Sequence, residues 1–315
     1  MATAVAGGAA AVPQAADWEN PEQIGLWQDA WMRFRRNRIA VLGLVIVALL
    51  AILALIVPIL GTQGYSFLPI HLNLIPDPIH QDVANIFAKP GAGHIMGTDE
   101  LGRDALARVL YGSQISLFIG IVVQFIILLI GGAIGLAAGY FGGRIDNLLM
   151  RFTDIMYAFP DLLFVLIVVA ALGPSLFSVF VAIAVVNWVN LARLVRGQVL
   201  SIREKEYIES ARAAGSAPMK IILKHLVPNS LGPVIVTLTF GIPQAIFLEA
   251  VLSFLGVGIP PPSPSWGRMV EDGYVAINAA PWLALFPSLA IAITMLSFTF
   301  VGDGLRDALD PRMRT

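Results

Sequence analysis

The sequence predicts an all-α membrane protein with six transmembrane helices, and three observations predict it. Of 315 residues, 57% are hydrophobic and 13% charged, with a mean hydropathy of +0.79; soluble domains carry about 25% charge. The apolar residues come in continuous runs of about 20, the length of a bilayer-crossing helix, and not in the short alternating segments of a β-barrel. Drawn as six crossings, the chain places all but four of its 20 lysines and arginines on one side, which the positive-inside rule makes cytoplasmic. The exceptions are Lys89, Arg103, Arg108 and Arg268. Both termini are therefore expected in the cytoplasm.

Residues 1–38 are expected to form a cytoplasmic leader. Residues 1–16 are rich in Ala and Gly and predict disorder, without the basic start, apolar core and cleavage site of a signal peptide. Residues 17–34 space Trp18, Ile24, Trp27, Trp31 and Phe34 among acids and amides, the pattern of a helix lying in the membrane interface or against the protein's own cytoplasmic face. After the basic cluster Arg33, Arg35, Arg36 and Arg38, residues 39–60 make the first span. Residues 61–110 form a proline-rich extracytoplasmic loop. Near its end, Thr98 or Asp99 can cap the helix leading to the second span. Three acids and His94 there need only capping and solvation; a cation site is the alternative.

The second span, 115–139, carries Gly131, Gly135 and Gly139 four residues apart, with Gly132 beside them. That stripe suits close helix packing, either within the chain or between subunits. A short turn (140–151) leads to the third span (154–172), with Phe159-Pro160-Asp161 near its inner end. The fourth span covers 175–194. The fifth, 231–255, is expected to break at Pro243. A second proline-rich outer loop (256–280) precedes the sixth span (281–301). Residues 111–303 thus form one five-helix unit, followed by a cytoplasmic tail from 304 to 315.

Between the fourth and fifth spans lies a polar segment, 203–228. Ile208, Ala211, Gly215, Met219, Ile222 and Leu226 recur at helical spacing among Arg203, Glu204, Lys205, Glu206, Glu209, Arg212, Lys220 and Lys224. Gly215 suits the stop of one short helix (204–214) and Pro218 the first turn of a second (218–227). An apolar stripe with basic rims, held between spans on the cytoplasmic side, is built to dock on a partner.

Several kinds of chemistry have no motif here. There is no Gly-x-x-x-x-Gly-Lys-Ser/Thr phosphate loop, no Gly-x-Ser-x-Gly elbow and no His-Glu-x-x-His. The chain has no cysteine, and its four histidines are scattered without zinc spacing. A net charge of −1 provides no field for nucleic acid. No cofactor is expected in this chain. Two acids lie near membrane depth, Asp161 and Glu249, and both are candidates for a pathway or gating role; a structural hydrogen bond is the alternative for Glu249. They form no relay across the bilayer, which argues against a proton-coupled carrier. Energy is therefore expected to arrive as movement from a partner, through the segment 203–228.

That segment resembles the EAA loop of ABC importer permeases, with Glu209, Ala211, Gly215 and Pro228 on the pattern and Pro218 opening the second helix. Ser210, His225 and Val227 depart from it. His94 to Asp104, Glu249 to Gly256 with Pro261 to Gly267, and Gly302 to Arg312 are similar to the DppC/OppC-type permeases of the dipeptide/oligopeptide/nickel family. The resemblance implies a type I ABC importer transmembrane domain, coupled through Glu209, Ala211, Gly215, Pro218 and Pro228 to two ATPase subunits that bind ATP and magnesium. It also implies a second related permease subunit, a peptide cargo and an extracytoplasmic substrate-binding protein, with Thr98, Asp99, Arg103, Asp104 and Trp266 as candidate contacts. Nickel, glutathione or another small solute is the alternative cargo. A stand-alone secondary carrier is the alternative class.

Overall fold

The structure is a computed structural model that describes residues 25–61 and 72–310. The expected disordered leader, with Trp18 and Ile24, lies outside the described residues, as do Arg312 and Arg314. Among the described residues there is no β-strand, only an isolated bridge between Thr98 and Asp104. Eleven α-helices follow in order: α1 (Leu26–Arg36), α2 (Arg38–Leu60), α3 (Ala105–Phe141), α4 (Gly143–Tyr157), α5 (Asp161–Leu172), α6 (Leu176–Arg203), α7 (Glu206–Ala213), α8 (Pro218–Ile221), α9 (Val227–Phe254), α10 (Trp266–Val275) and α11 (Trp282–Leu309).

Five of the described helical stretches are long and apolar enough to cross a membrane: α2, α3, α6, α11 and the continuous stretch Pro218–Phe254. The third expected crossing differs from the others. It is a bent pair, α4 and α5, which meet at 88°. Pro160 stops the helix from running straight through, since it lacks the N–H an interior turn needs. Alone, α5 has 12 residues and spans about 18 Å, short of the bilayer's hydrocarbon core.

Two other boundaries move. The helix of the second crossing begins at Ala105, and its cap is Asp104, whose Oδ1 accepts from the Ala107 N–H at 2.8 Å. Neither Thr98 nor Asp99 caps it. The fifth crossing does not break at Pro243: α9 runs unbroken through Pro233 and Pro243. Pro243 is buried, and α9 is packed against α3, α10 and α11. Side packing holds the helix where a lost backbone bond would otherwise kink it.

The centre of the molecule is the pairing of α3 with α6. A Cβ added at Gly131 would lie 2.6 Å from the Trp188 carbonyl oxygen, one at Gly135 2.5 Å from that of Ala192, and one at Gly139 2.7 Å from Val199 Cβ. The glycine stripe therefore serves packing within the chain, and the two backbones meet at a distance no other residue permits. Ile119, Val123, Ile127, Val165, Val179, Ile183, Leu191, Val195 and Val199 complete this core. On its flank, α11 packs against α2 and α9. Helix α1 covers one end: Ala30 and Phe34 are buried beside Ala40, Val301 and Ala308, while Trp27 and Trp31 face outward. One face of α1 is thus packed on the protein and the other is left open.

Candidate functional site

The segment 203–228 sits at the end of the bundle where α3 ends and α6 gives way to α9. Helix α7 stops in a Schellman turn: the Gly215 N–H donates to the Arg212 carbonyl (2.9 Å) and the Ser216 N–H to that of Ala211 (3.1 Å). Gly215 has φ +74° and an open surround, so backbone conformation alone demands glycine there. Pro218 opens α8 at its first turn. The next helix does not end at Val227. The chain widens into one π turn, Ile222–Leu226, closed by the Val227 N–H on the Ile222 carbonyl, and continues as α9. Pro228 sits in the first turn of α9, where the widened backbone accommodates a residue with no N–H. From Pro218 onward, the segment is therefore the end of the fifth crossing itself.

The expected single stripe divides. Ile208, Ile221, Ile222 and Leu226 are buried in the main core and anchor the segment. Met219 and Leu223 point outward, 63% and 61% exposed, alongside Glu209, Arg212 and Lys220. This exposed mixture of apolar and charged side chains is the surface available to a partner. His225 faces Tyr207 across 6.0 Å, which ties the π turn to α7.

Two residues here were not legible as site residues in the sequence. Tyr140 and Phe141 at the end of α3, with Arg203, Glu204, Glu209 and Arg212, line a groove of about 660 Å³. Arg203 Nη1 donates to the carbonyls of Gly139 (2.9 Å) and Tyr140 (3.3 Å), so a cation completes the C-terminal turn of α3. Arg212 lies over the Tyr140 ring at 5.6 Å. The aromatic pair before Gly142 was the available signal. Two further ion pairs, Arg196–Asp146 (2.5 Å) and Arg193–Asp154 (2.7 Å), bind α4 to α6.

The two acids differ. Asp161 begins α5 at the bend and is exposed, a place where a helix N-terminus favours an acid. Glu249 is fully buried. Its Oε1 accepts from the Ser253 and Ser265 hydroxyls, each at 2.8 Å, and Ser265 also caps α10 through the Arg268 N–H. A Cβ at Gly267 would lie 3.0 Å from Glu249 Oε2. Glu249 thus fastens α9 to α10 at the end of the bundle opposite α7.

At that opposite end, Thr98, Asp99, Arg103 and Trp266 are buried. Thr98 Oγ1 donates to the Asn85 carbonyl and accepts from the Ala88 N–H. Asp99 holds Arg103 (2.7 Å) and Arg108 (3.4 Å), and Asp272 of α10 meets Arg108 (3.3 Å) and Arg268 (3.1 Å). The acids and arginines neutralise one another, and the expected solvation of Asp99 gives way to burial. Asp104 pairs with His94 at 2.9 Å. Trp266 Nε1 donates to the Val109 carbonyl (2.9 Å). Burial pushes the nearby Glu271 carboxyl above its ordinary range, against the pull of Arg268.

Comparison with known proteins adds independent findings. Residues 131–315 match the family described as binding-protein-dependent transport system inner membrane component, and residues 25–90 match the N-terminal TM domain of oligopeptide transport permease C. The chain is 42% identical to the oligopeptide transport system permease protein OppC of Bacillus subtilis, over 93% of this chain and 92% of that one. It is 43% identical to the dipeptide transport system permease protein DppC of the same organism, over 91% and 86%, and 40% identical to OppC of Escherichia coli, over 92% of each. Among solved structures, an inward-facing MetNI methionine ABC transporter chain is similar in fold, with a TM-score of 0.53 at 21% identity, covering 65% of this chain and 97% of that one.

Proposed function

Because the chain belongs to the family of binding-protein-dependent transport system inner membrane components, we propose that it is a permease subunit of an ATP-driven importer of di- and oligopeptides, coupled to its ATPases through α7 and α8. One observation carries the coupling role: the exposed Met219, Lys220 and Leu223 and the fifth crossing are on a single helical stretch, Pro218–Phe254. Force applied at Met219 and Leu223 reaches the middle of the membrane without passing through a flexible joint. Peptide cargo rests on the OppC and DppC relatives.

In this reading the α7–α8 end lies in the cytoplasm, with both termini, as the distribution of Lys and Arg requires. A second related permease forms the other half of the path. Two ATPase subunits bind the nucleotide, magnesium included, and close against α7–α8. This chain supplies no catalytic group. A substrate-binding protein docks on the opposite end. There the buried Thr98, Asp99, Arg103 and Trp266 set the shape of the surface, and exposed neighbours such as Glu100, Leu101 and Pro261 make the contact.

Within the complete transporter, Glu209→Lys reverses the charge at the groove and is expected to weaken copurification of the ATPase subunits and to abolish peptide uptake. An intact, active complex would remove Glu209 from the interface.

A further inference from the structure

Along the three central helices lies a cavity of about 140 Å³, lined on its polar side by Gln124 of α3, Asn187 and Asn190 of α6, and Thr237, Gly241 and Gln244 of α9, with aliphatic residues of the same helices making up the rest. Among its lining residues none is charged. Gln124 and Gln244 sit near the middle of their spans, at the depth where lipid offers no hydrogen-bond partner, and Asn187, Asn190 and Thr237 lie nearer the α7 end. Asn190 and Gln244 are nevertheless exposed. A carboxamide facing hydrocarbon at mid-depth, as Gln244 does, is costly, so this face requires something polar against it.

The cavity is built, not incidental. A Cβ at Gly241 would collide with the Gln124 side-chain amide, so glycine there is what lets Gln124 reach across to α9. The Asn187 Nδ2 donates to the Ile183 carbonyl at 2.9 Å, which turns its oxygen outward from its own helix. The Thr237 hydroxyl is held by the Pro233 carbonyl at 2.9 Å.

We propose that this cavity is the point in the membrane where cargo is gripped by its peptide bonds. A carboxamide both donates and accepts, as a peptide group does, so facing amides satisfy a backbone whatever side chains it carries. Charged lining would instead select by charge or by metal. At about 30 Å³ per water, the volume suits one peptide unit at a time, with the chain threaded through. Because α9 continues into the docking segment, movement there shifts Thr237, Gly241 and Gln244 against Gln124 and Asn187, and the grip changes with the ATPase stroke. This inference rests on the peptide-import reading.

The sequence contains no cysteine, so single cysteines report cleanly. In the full transporter, Asn190→Cys and Gln244→Cys are each treated with a charged, water-soluble methanethiosulfonate. The reaction is followed with and without binding protein, ATP and a mixture of short peptides. Leu129→Cys, at an exposed apolar position of α3, is the lipid control. The expected result is labelling at 190 and 244 but not at 129, slowed roughly fivefold by peptide at about four times its Kd. Labelling that peptide leaves unchanged overturns the proposal. So does a face closed to reagent under every condition, which would mark a contact with the second permease. Wild-type uptake of the peptide mixture is measured alongside. Its absence overturns the cargo reading itself, whereas uptake without protection overturns only the cavity.

Discussion

The two carboxylate oxygens of Glu249 have different surroundings. Oε1 takes two hydroxyl hydrogens, from Ser253 and Ser265, while Oε2 lies against Gly267. Glu249→Gln keeps an oxygen for the two serines and the same volume, so thermal unfolding of the purified complex should change little. Glu249→Ala leaves both hydroxyls without their acceptor and opens a cavity, and is expected to destabilise by about 2–4 kcal/mol. Equal losses for the two variants would mean that the negative charge, not the hydrogen bonding, is what matters there. At Gly215 the constraint is one of backbone only. Gly215→Asn should be tolerated, because asparagine adopts positive φ readily. Gly215→Val should cut uptake while expression persists.

Helices α3 and α6 supply a contrast within one element. Gly135 meets the Ala192 carbonyl oxygen, whereas a Cβ at Gly132 would find only Leu128 Cδ1, at 3.6 Å. Gly135→Ala forces the helices apart and is expected to cost about 1–3 kcal/mol; Gly132→Ala should be near neutral or slightly stabilising. Denaturation midpoints of the two variants compare them directly. If they lose stability equally, the stripe's spacing has no packing meaning. The same pair of helices is locked at its α7 end by Arg203, whose guanidinium closes the last turn of α3. The segment 203–228 is thus braced against α3 and α6 while its second half, from Pro218, remains continuous with α9.

Across the whole molecule, the two ends are held differently. At the α7–α8 end, short helices expose charged and apolar groups. At the opposite end, Asp99, Arg103, Arg108, Arg268 and Asp272 join the start of α3 to α10 through a mostly buried network. Arg108→Met removes a cation that meets both Asp99 and Asp272, and leaves those acids short of a partner. A loss of about 3–5 kcal/mol is expected, seen as faster amide hydrogen exchange in α10 with α6 unaffected. The network thus sets the resistance of the α10 cap to opening. In vesicles, this polypeptide without its other subunits is expected to move no peptide and hydrolyse no ATP; solute movement by the chain alone would refute the coupling scheme.

Composition and run length determined by themselves that this is a multi-crossing helical membrane protein, because a bilayer admits few backbone solutions and demands about 20 apolar residues for each crossing. Local rules determined the turn at Gly215 and the start at Pro218, which depend on single-residue backbone preferences. The resemblance of 203–228 and of three further stretches identified the family. Tertiary structure decided the rest. Pro243 reads as a break, yet α9 stays whole because its neighbours pack it on several sides. Pro228 reads as an end, yet a π turn absorbs it. The third crossing reads as one apolar run, yet it folds as two helices at 88°. Asp99 reads as exposed, yet it is buried, because Arg103 and Arg108 arrive to neutralise it. In each case the deciding partner lies on another element or in the next turn of backbone, and hydropathy along the chain carries no record of it.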